Sequence, residues 1–350
     1  MPDPLAALTS PPAAGPQAHN LWCVERSPEP CLAVIFGASG DLSERKLVPA
    51  LYSLYRQHLI PGSFSVLGFA RSPLEDGTFR TKMRKALGPL NGDDAALREE
   101  FLSRLHYVAG DYGDPASYRA LGERLSALDR SAGLRGNRLF YLSTPPALYG
   151  PVIRHLSEAG LTAGAGWAHV IIEKPFGEDL ASALRLAEEV RRHLREDQIY
   201  RMDHYLGKET VQNILVFRFA NTIFEPVWNR TTIDHVQITA AEAIGVGHRA
   251  GYYEKAGCVR DMFQNHMLQL LCLIAMEPPA AFEADRVRDE TAKVLQALRR
   301  AVPSQAGSLW VRGQYGPGRS ETGEVLPGYR EEPGVGRGSR TETFAGGVER

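Results

Sequence analysis

Between Cys31 and Arg195, short β-branched or aromatic runs alternate with amphipathic stretches, and this alternation limits the fold more than any other feature of the chain. The apolar runs are CLAVIF (31–36), FSVLGFA (64–70), the strand within RLHYVAGDY (104–112), RLFYLS (138–143) and AHVIIE (168–173). Helical patterns at 46–56, 78–104, 115–129, 147–159 and 179–195 separate or follow them. Parallel neighbours cannot be joined by a tight turn, so each pair needs a crossover helix, and a strand covered on both faces becomes apolar throughout. The series therefore predicts an α/β domain over residues 31–200, a doubly wound sheet of Rossmann type.

The pattern changes after Tyr200. A helix at 208–219, a strand over TTIDHVQITAAEA (231–243) and an apolar helix from Val259 to Met276 predict a second, α+β domain over 201–350. Residues 303–350 hold 11 glycines in 48 positions, which fits either a linker or the start of a large antiparallel sheet. Residues 1–30 contain seven of the 23 prolines, a density that blocks helix and sheet interiors, and are expected to form a disordered leader. The opening MPDPLAALTSPPAAGP lacks the cationic region and unbroken apolar run of a secretory signal or membrane anchor.

Charge narrows the choice of partners. Forty Lys and Arg residues against 41 Asp and Glu leave a formal net charge of -1, so no global positive field attracts nucleic acid or an anionic membrane. An anionic ligand must meet a local cluster of cations. The four cysteines, Cys23, Cys31, Cys258 and Cys272, have no zinc-ligand spacing and are too sparse for a disulfide scaffold, so no metal and a cytoplasmic, reducing home are expected.

The first strand runs into Gly37-Ala38-Ser39-Gly40-Asp41-Leu42-Ser43 and then a helix. Such a junction gathers free backbone N–H groups and the positive end of a helix dipole at one point, which suits a pyrophosphate. The pattern is GxxGxxS rather than G-x-G-x-x-G, so taken alone it fits an ordinary βα turn equally well. Arg71 follows the second strand, where an arginine accommodates the 2′-phosphate of NADP and an acid would bind the ribose of NAD. A solvated arginine would look the same, and Glu75 and Asp76 stand close behind.

The segment Arg201-Met202-Asp203-His204-Tyr205-Leu206-Gly207-Lys208-Glu209 concentrates two carboxylates, an imidazole, a phenol and two certain cations in nine residues. Three further fragments accompany it: Glu173-Lys174-Pro175-Phe176-Gly177, Tyr141-Leu142-Ser143-Thr144-Pro145-Pro146, and Arg260-Asp261-Met262-Phe263-Gln264-Asn265-His266. With GASGDL they resemble the glucose-6-phosphate dehydrogenase family over roughly residues 31 to 345. RMDHYLGKE is close to the family signature RIDHYLGKE, with Met202 in place of isoleucine, a swap of similar volume.

The resemblance implies oxidation of D-glucose 6-phosphate at C1 to 6-phosphogluconolactone with NADP as hydride acceptor, the first step of the pentose phosphate pathway. Its base would be His266, since histidine titrates near neutral pH; read alone, His266 is also an ordinary helix histidine between Met262 and Leu270. Asp261 precedes it by five residues, about 140° around an ideal α-helix, so the two side chains are expected to diverge unless Asp261 sits outside the first turn. Asp203, in the signature segment, matches the family's partner of the base, so the resemblance implies that it orients His266 and that Asp261 and Glu242 meet sugar hydroxyls. His204, Tyr205 and Lys208 match the family's phosphate site. Lys174, before a cis Pro175, touches sugar and cofactor. Gly37, Ser39, Gly40, Asp41, Leu42, Arg71 and Tyr141 complete the cofactor set. Family members continue past the segment matching TETFA into more strands and an RTGK-type segment, so the resemblance implies an incomplete sheet, a missing substrate lysine and a homo-oligomeric state in doubt for this chain. A non-catalytic NADP-binding fragment is the alternative function.

Overall fold

The computed structural model describes residues 28–88, 95–299, 302, 304 and 306–347. Most of the expected leader and the last three residues lie outside these.

Six parallel strands form the first domain: β1 Leu32–Phe36, β2 Ser65–Ala70, β3 Leu105–Ala109, β4 Arg138–Leu142, β5 Ala168–Ile172 and β6 Ile199–Arg201. Their spatial order is β3-β2-β1-β4-β5-β6, the dinucleotide-binding order whose direction reverses between β1 and β4. The crossovers are α1 Val48–Arg56, α2 Asp76–Leu87, α3 Ala95–Ser103, α4 Pro115–Ala132, α5 Tyr149–Glu158 and α6 Leu180–His193. The expected helix at 78–104 is thus two helices. Gly88 ends the first of them in the left-handed region at φ 59°, and Pro89 follows.

Strand β1 shows how the sequence builds both faces at once. Leu32, Val34 and Phe36 join one buried cluster with Leu67, Phe69, Phe140 and Val170, while Ala33 and Ile35 join another with Val66, Phe79 and Leu105. Successive side chains point to opposite faces, so an unbroken apolar run serves two helical layers. The sixth strand, unforeseen in the sequence, carries the sheet one residue beyond Tyr200 and delivers the chain directly into Met202-Asp203.

The second region packs α7 Glu209–Phe219 against α9 Leu268–Ala275, the last part of a helical column that starts with α8 Ala250–Cys258, kinks at Gly257 (φ 68°) and continues through a π-helical segment Val259–Met267. Helix α10 Ala284–Ala297 lies along α9. Short α11 Ala306–Leu309 precedes β7 Trp310–Gly313, β8 Gly318–Arg319, β9 Val325–Leu326 and β10 Phe344–Gly347. These strands form two antiparallel pairs, β7 with β10 and β8 with β9.

Two expectations fail here. Residues 231–243 form no strand: they run as coil with mostly exposed side chains, because a strand exists only where its backbone groups find a partner. The helix from Val259 to Met276 is not uniform, and its first half is wound with i→i+5 geometry.

Candidate active site

The glycine turn sits at the carboxyl end of β1, where the strand order reverses. Gly37 adopts φ 81°, its N–H donates to Phe69 O at 2.9 Å, and an added Cβ would lie 2.2 Å from Ser143 O, so no other residue fits there. The helix that follows begins at Asp41, earlier than expected, which places its free first-turn N–H groups at the turn itself. A groove of about 550 Å³ opens beside it, lined by Gly37, Ser39, Gly40, Arg71, Ser72 and Thr144 among others. Ser72 Oγ donates to Ser39 Oγ at 3.0 Å, and the Arg71 guanidinium lies 5.8 Å from the centre of the Tyr112 ring. Lys82, which the sequence reading did not single out, anchors the turn by donating to Ser39 O at 2.6 Å and pairing with Glu44 at 3.0 Å. It could not be found from the sequence, since it reaches the turn from α2, 43 residues on.

These groups suit a dinucleotide. Thr144 Oγ1 is buried without a hydrogen-bond partner among the described residues, and Ser39, Arg71 and Ser72 collect hydroxyls and a guanidinium at the groove's edge, the donor set of a phosphate site. The acid near Arg71 is held elsewhere: Asp76 takes Arg124 at 2.6 Å, the Tyr107 N–H at 2.8 Å and His106 at 3.3 Å. Asp41 is exposed and paired with Arg45 at 2.7 Å, and Leu42 is exposed. Tyr141 stands apart from the groove lining, its phenol donating to the Glu173 carboxylate next to Lys174.

A second cluster forms where β5, β6 and the π-helical segment meet. His266, 1% exposed, places Nδ1 2.6 Å from Asp203 Oδ1. Lys174 Nζ lies 2.7 Å from His266 Nε2 and also donates to Asp261 O at 3.1 Å and Oδ1 at 3.3 Å. An ammonium can only donate, so Nε2 is the accepting nitrogen and Nδ1 carries the proton given to Asp203. The Lys174–Pro175 peptide is cis.

The expected divergence of Asp261 and His266 does not occur, since Lys174 touches both. In an α-helix neighbours on one face are three or four apart; with i→i+5 winding a residue five positions on returns to that face. Asp261 is 4% exposed, and it also accepts from Tyr252 at 2.9 Å and pairs with Arg249 at 3.3 Å.

Electrostatics follow from these contacts. Burial works to raise the Asp203 pKa, but the hydrogen bond and charge of His266, with the Tyr205 N–H, outweigh it and hold the carboxyl below its usual range. Burial likewise opposes ionisation of Asp261, and the Lys174 charge, the Tyr252 phenol and Arg249 prevail. Burial and the adjacent Asp261 push the Tyr252 phenol up to about 12. The His204 pKa is lowered, first by desolvation and then by the charges of His266 and Lys174.

The turn 203–208 adds the remaining groups. Tyr205 N–H donates to Asp203 Oδ1 at 3.0 Å, the Tyr205 ring stacks on the His266 ring at 3.9 Å, and Lys208 Nζ lies 3.6 Å from the Tyr205 ring centre. The His204 ring meets that of His266 edge-on at 4.8 Å. Lys208 is also the N-cap residue of α7, so its ammonium and a helix N-terminus share one place, an arrangement suited to an anion. Glu242 is not brought to this cluster; it is exposed on the coil 231–243 and makes no hydrogen bond or ion pair with described residues.

A six-stranded parallel sheet with a glycine turn at its switch point, joined to a histidine–aspartate pair, defines a dinucleotide-binding protein of dehydrogenase architecture. The model of the glucose-6-phosphate dehydrogenase NAD binding domain matches residues 34–213, and that of the C-terminal domain of the same family matches 215–348. The chain belongs to the glucose-6-phosphate dehydrogenase family. It is 48% identical over 326 residues to the glucose-6-phosphate 1-dehydrogenase of Chlamydia pneumoniae (91% of this chain, 63% of that protein). Against that of Aggregatibacter actinomycetemcomitans it is 50% identical over 317 residues (90% of this chain, 64% of that protein). It thus spans just under two thirds of the length of these relatives. A solved glucose-6-phosphate dehydrogenase in complex with its substrate glucose-6-phosphate superposes with a TM-score of 0.82 at 40% identity, over 91% of this chain and 64% of the other. The enzyme from Mycobacterium avium gives 0.76 at 36% identity, over 91% and 65%. No helix among the described residues is long and apolar enough to cross a membrane.

Proposed function

We propose that this chain oxidises the C1 hydroxyl of glucose 6-phosphate to the lactone, with NADP as acceptor, in the cytoplasm. One observation carries the reading: His266 is held by Asp203 through Nδ1, so that Nε2 presents its lone pair toward Lys174. That is the arrangement of a general base: with the Lys174 ammonium turned to the substrate, Nε2 takes the hydroxyl proton, and Asp203 stabilises the imidazolium that results. Lys208, His204 and the N-terminus of α7 receive the phosphate dianion, meeting the need for local positive charge in a near-neutral chain. Tyr205 adds its hydroxyl at the phosphate, Lys174 adds a donor near the sugar, and Asp261 holds Lys174 in place.

The turn Gly37–Gly40 would hold the cofactor, with Arg71 and Ser72 available to a 2′-phosphate and Lys174 to the sugar side. When bound, its nicotinamide accepts the hydride released from C1. The engagement of Asp76 with Arg124 supports NADP over NAD, since the acid that would compete for a ribose is neutralised.

Incubating the chain with glucose 6-phosphate and NADP tests the proposal: nicotinamide absorbance rises, and in His266→Ala it does not, while NADP still raises the melting temperature. A non-catalytic dinucleotide-binding chain is the second reading, favoured by the position of Glu242 outside the hydrogen-bonded cluster. It predicts the thermal shift without turnover in the unaltered chain.

A further inference from the structure

The contacts of Tyr205 exceed what a phosphate ligand requires. Its ring lies nearly parallel to His266, at 13° and 3.9 Å between centres, and its own N–H donates to the Asp203 oxygen that also takes the His266 proton. On the ring sits the Lys208 ammonium at 3.6 Å. Tyr205 is itself partly buried within a turn closed by Leu206 N–H to Asp203 O and Lys208 N–H to Tyr205 O. Orienter, stacking ring and cation are therefore parts of one hydrogen-bonded turn.

We infer that Tyr205 is a positioning residue for His266: its ring, rather than its hydroxyl, keeps the imidazole plane aligned with Asp203. A parallel ring at this distance blocks rotation of the imidazole about its Cβ–Cγ bond, and the Asp203 hydrogen bond by itself leaves the ring free to swing around Nδ1. Lys208 holds the outer side of the arrangement by a cation–π contact, so the group expected to bind phosphate also presses the ring that orders the base. The inference rests on the dehydrogenase reading for its catalytic meaning, but its geometric content is independent of turnover.

The test uses Tyr205→Phe, which keeps the ring and loses the hydroxyl, and Tyr205→Leu, which loses both. In the ¹⁵N-histidine-labelled chain, the His266 Nδ1 proton is assigned by its absence in His266→Ala. We expect that proton to stay sharp in Tyr205→Phe and to be lost to solvent exchange in Tyr205→Leu, with the histidine signals other than that of His204, whose ring adjoins Tyr205, unchanged as the check on folding. Where the chain turns over, Tyr205→Phe raises KM for glucose 6-phosphate and keeps most of kcat, whereas Tyr205→Leu lowers kcat by about tenfold to a hundredfold. An unaltered Nδ1 proton in Tyr205→Leu overturns the inference; so does its loss in Tyr205→Phe, which would assign the effect to the hydroxyl. Absence of turnover in the unaltered chain bears on the proposed function alone, because the proton signal is read without substrate.

Discussion

Asp203 and His266 are separated by 63 positions in the chain, yet Oδ1 of one and Nδ1 of the other are 2.6 Å apart. The contact joins the strand end of the nucleotide domain to the helical column of the second region, so neither domain holds the pair by itself.

Replacing Asp203 with asparagine leaves a neutral group that can turn its amide N–H toward Nδ1 and impose the wrong tautomer. With the proposed activity, kcat falls by about 10²–10⁴-fold while NADP affinity is retained. Steady-state kinetics with titration of NADP by fluorescence reads both; a loss below threefold would remove Asp203 from its orienting role.

Arg71 to alanine removes the guanidinium at the groove's edge. A charge-assisted contact to a phosphate contributes about 1.5–3 kcal/mol, so the NADP dissociation constant rises by about tenfold to a hundredfold. That of NAD, which lacks the phosphate, changes little. Calorimetry with the two nucleotides compares them directly, and equal weakening of both would show that Arg71 serves the turn rather than the phosphate.

Arg218, 5% exposed on α7, donates to Leu273 O at 2.7 Å and Met276 O at 2.8 Å, and so caps the carbonyl end of α9. Its guanidinium also lies 5.1 Å from the Trp228 ring. Leucine in its place leaves those carbonyls unpaired within the core, at a cost of about 2–4 kcal/mol. Urea denaturation reads the loss, which is expected without change in NADP affinity.

Acid should loosen the junction between the two regions. The folded-state pKa values of Asp203 and Asp261 are both depressed, so their contribution to stability is complete above the unfolded carboxylate value of about 3.9 and is lost as pH falls through the lower folded values. Below about pH 4 the melting temperature drops, and Asp261→Asn, already lacking that carboxylate, shows a shallower drop. Parallel curves for the two proteins would mean that the Lys174–Asp261 pair does not contribute.

Much of the nucleotide domain was legible because its signals are local. A strand buried on both faces must be apolar throughout, and a crossover must be long, so β1 to β5 and their helices follow from residues 31–195. The second region resisted such reading. Residues 231–243 alternate like a strand, but only a partner backbone makes a strand. Lys82 and Arg218 look like ordinary solvated cations until distant elements fold against them.

The sequence by itself determined the doubly wound sheet, the glycine turn and the family, since each is written in spacings of a few residues. Tertiary structure decided which groups meet. The i→i+5 winding of Val259–Met267 set Asp261 and His266 on one face, where α-helical spacing would have parted them. Lys174 reached both from 92 positions before His266, and the Tyr205 ring came to rest on the imidazole. Such contacts depend on how the chain closes over long separations, and no local pattern encodes that closure.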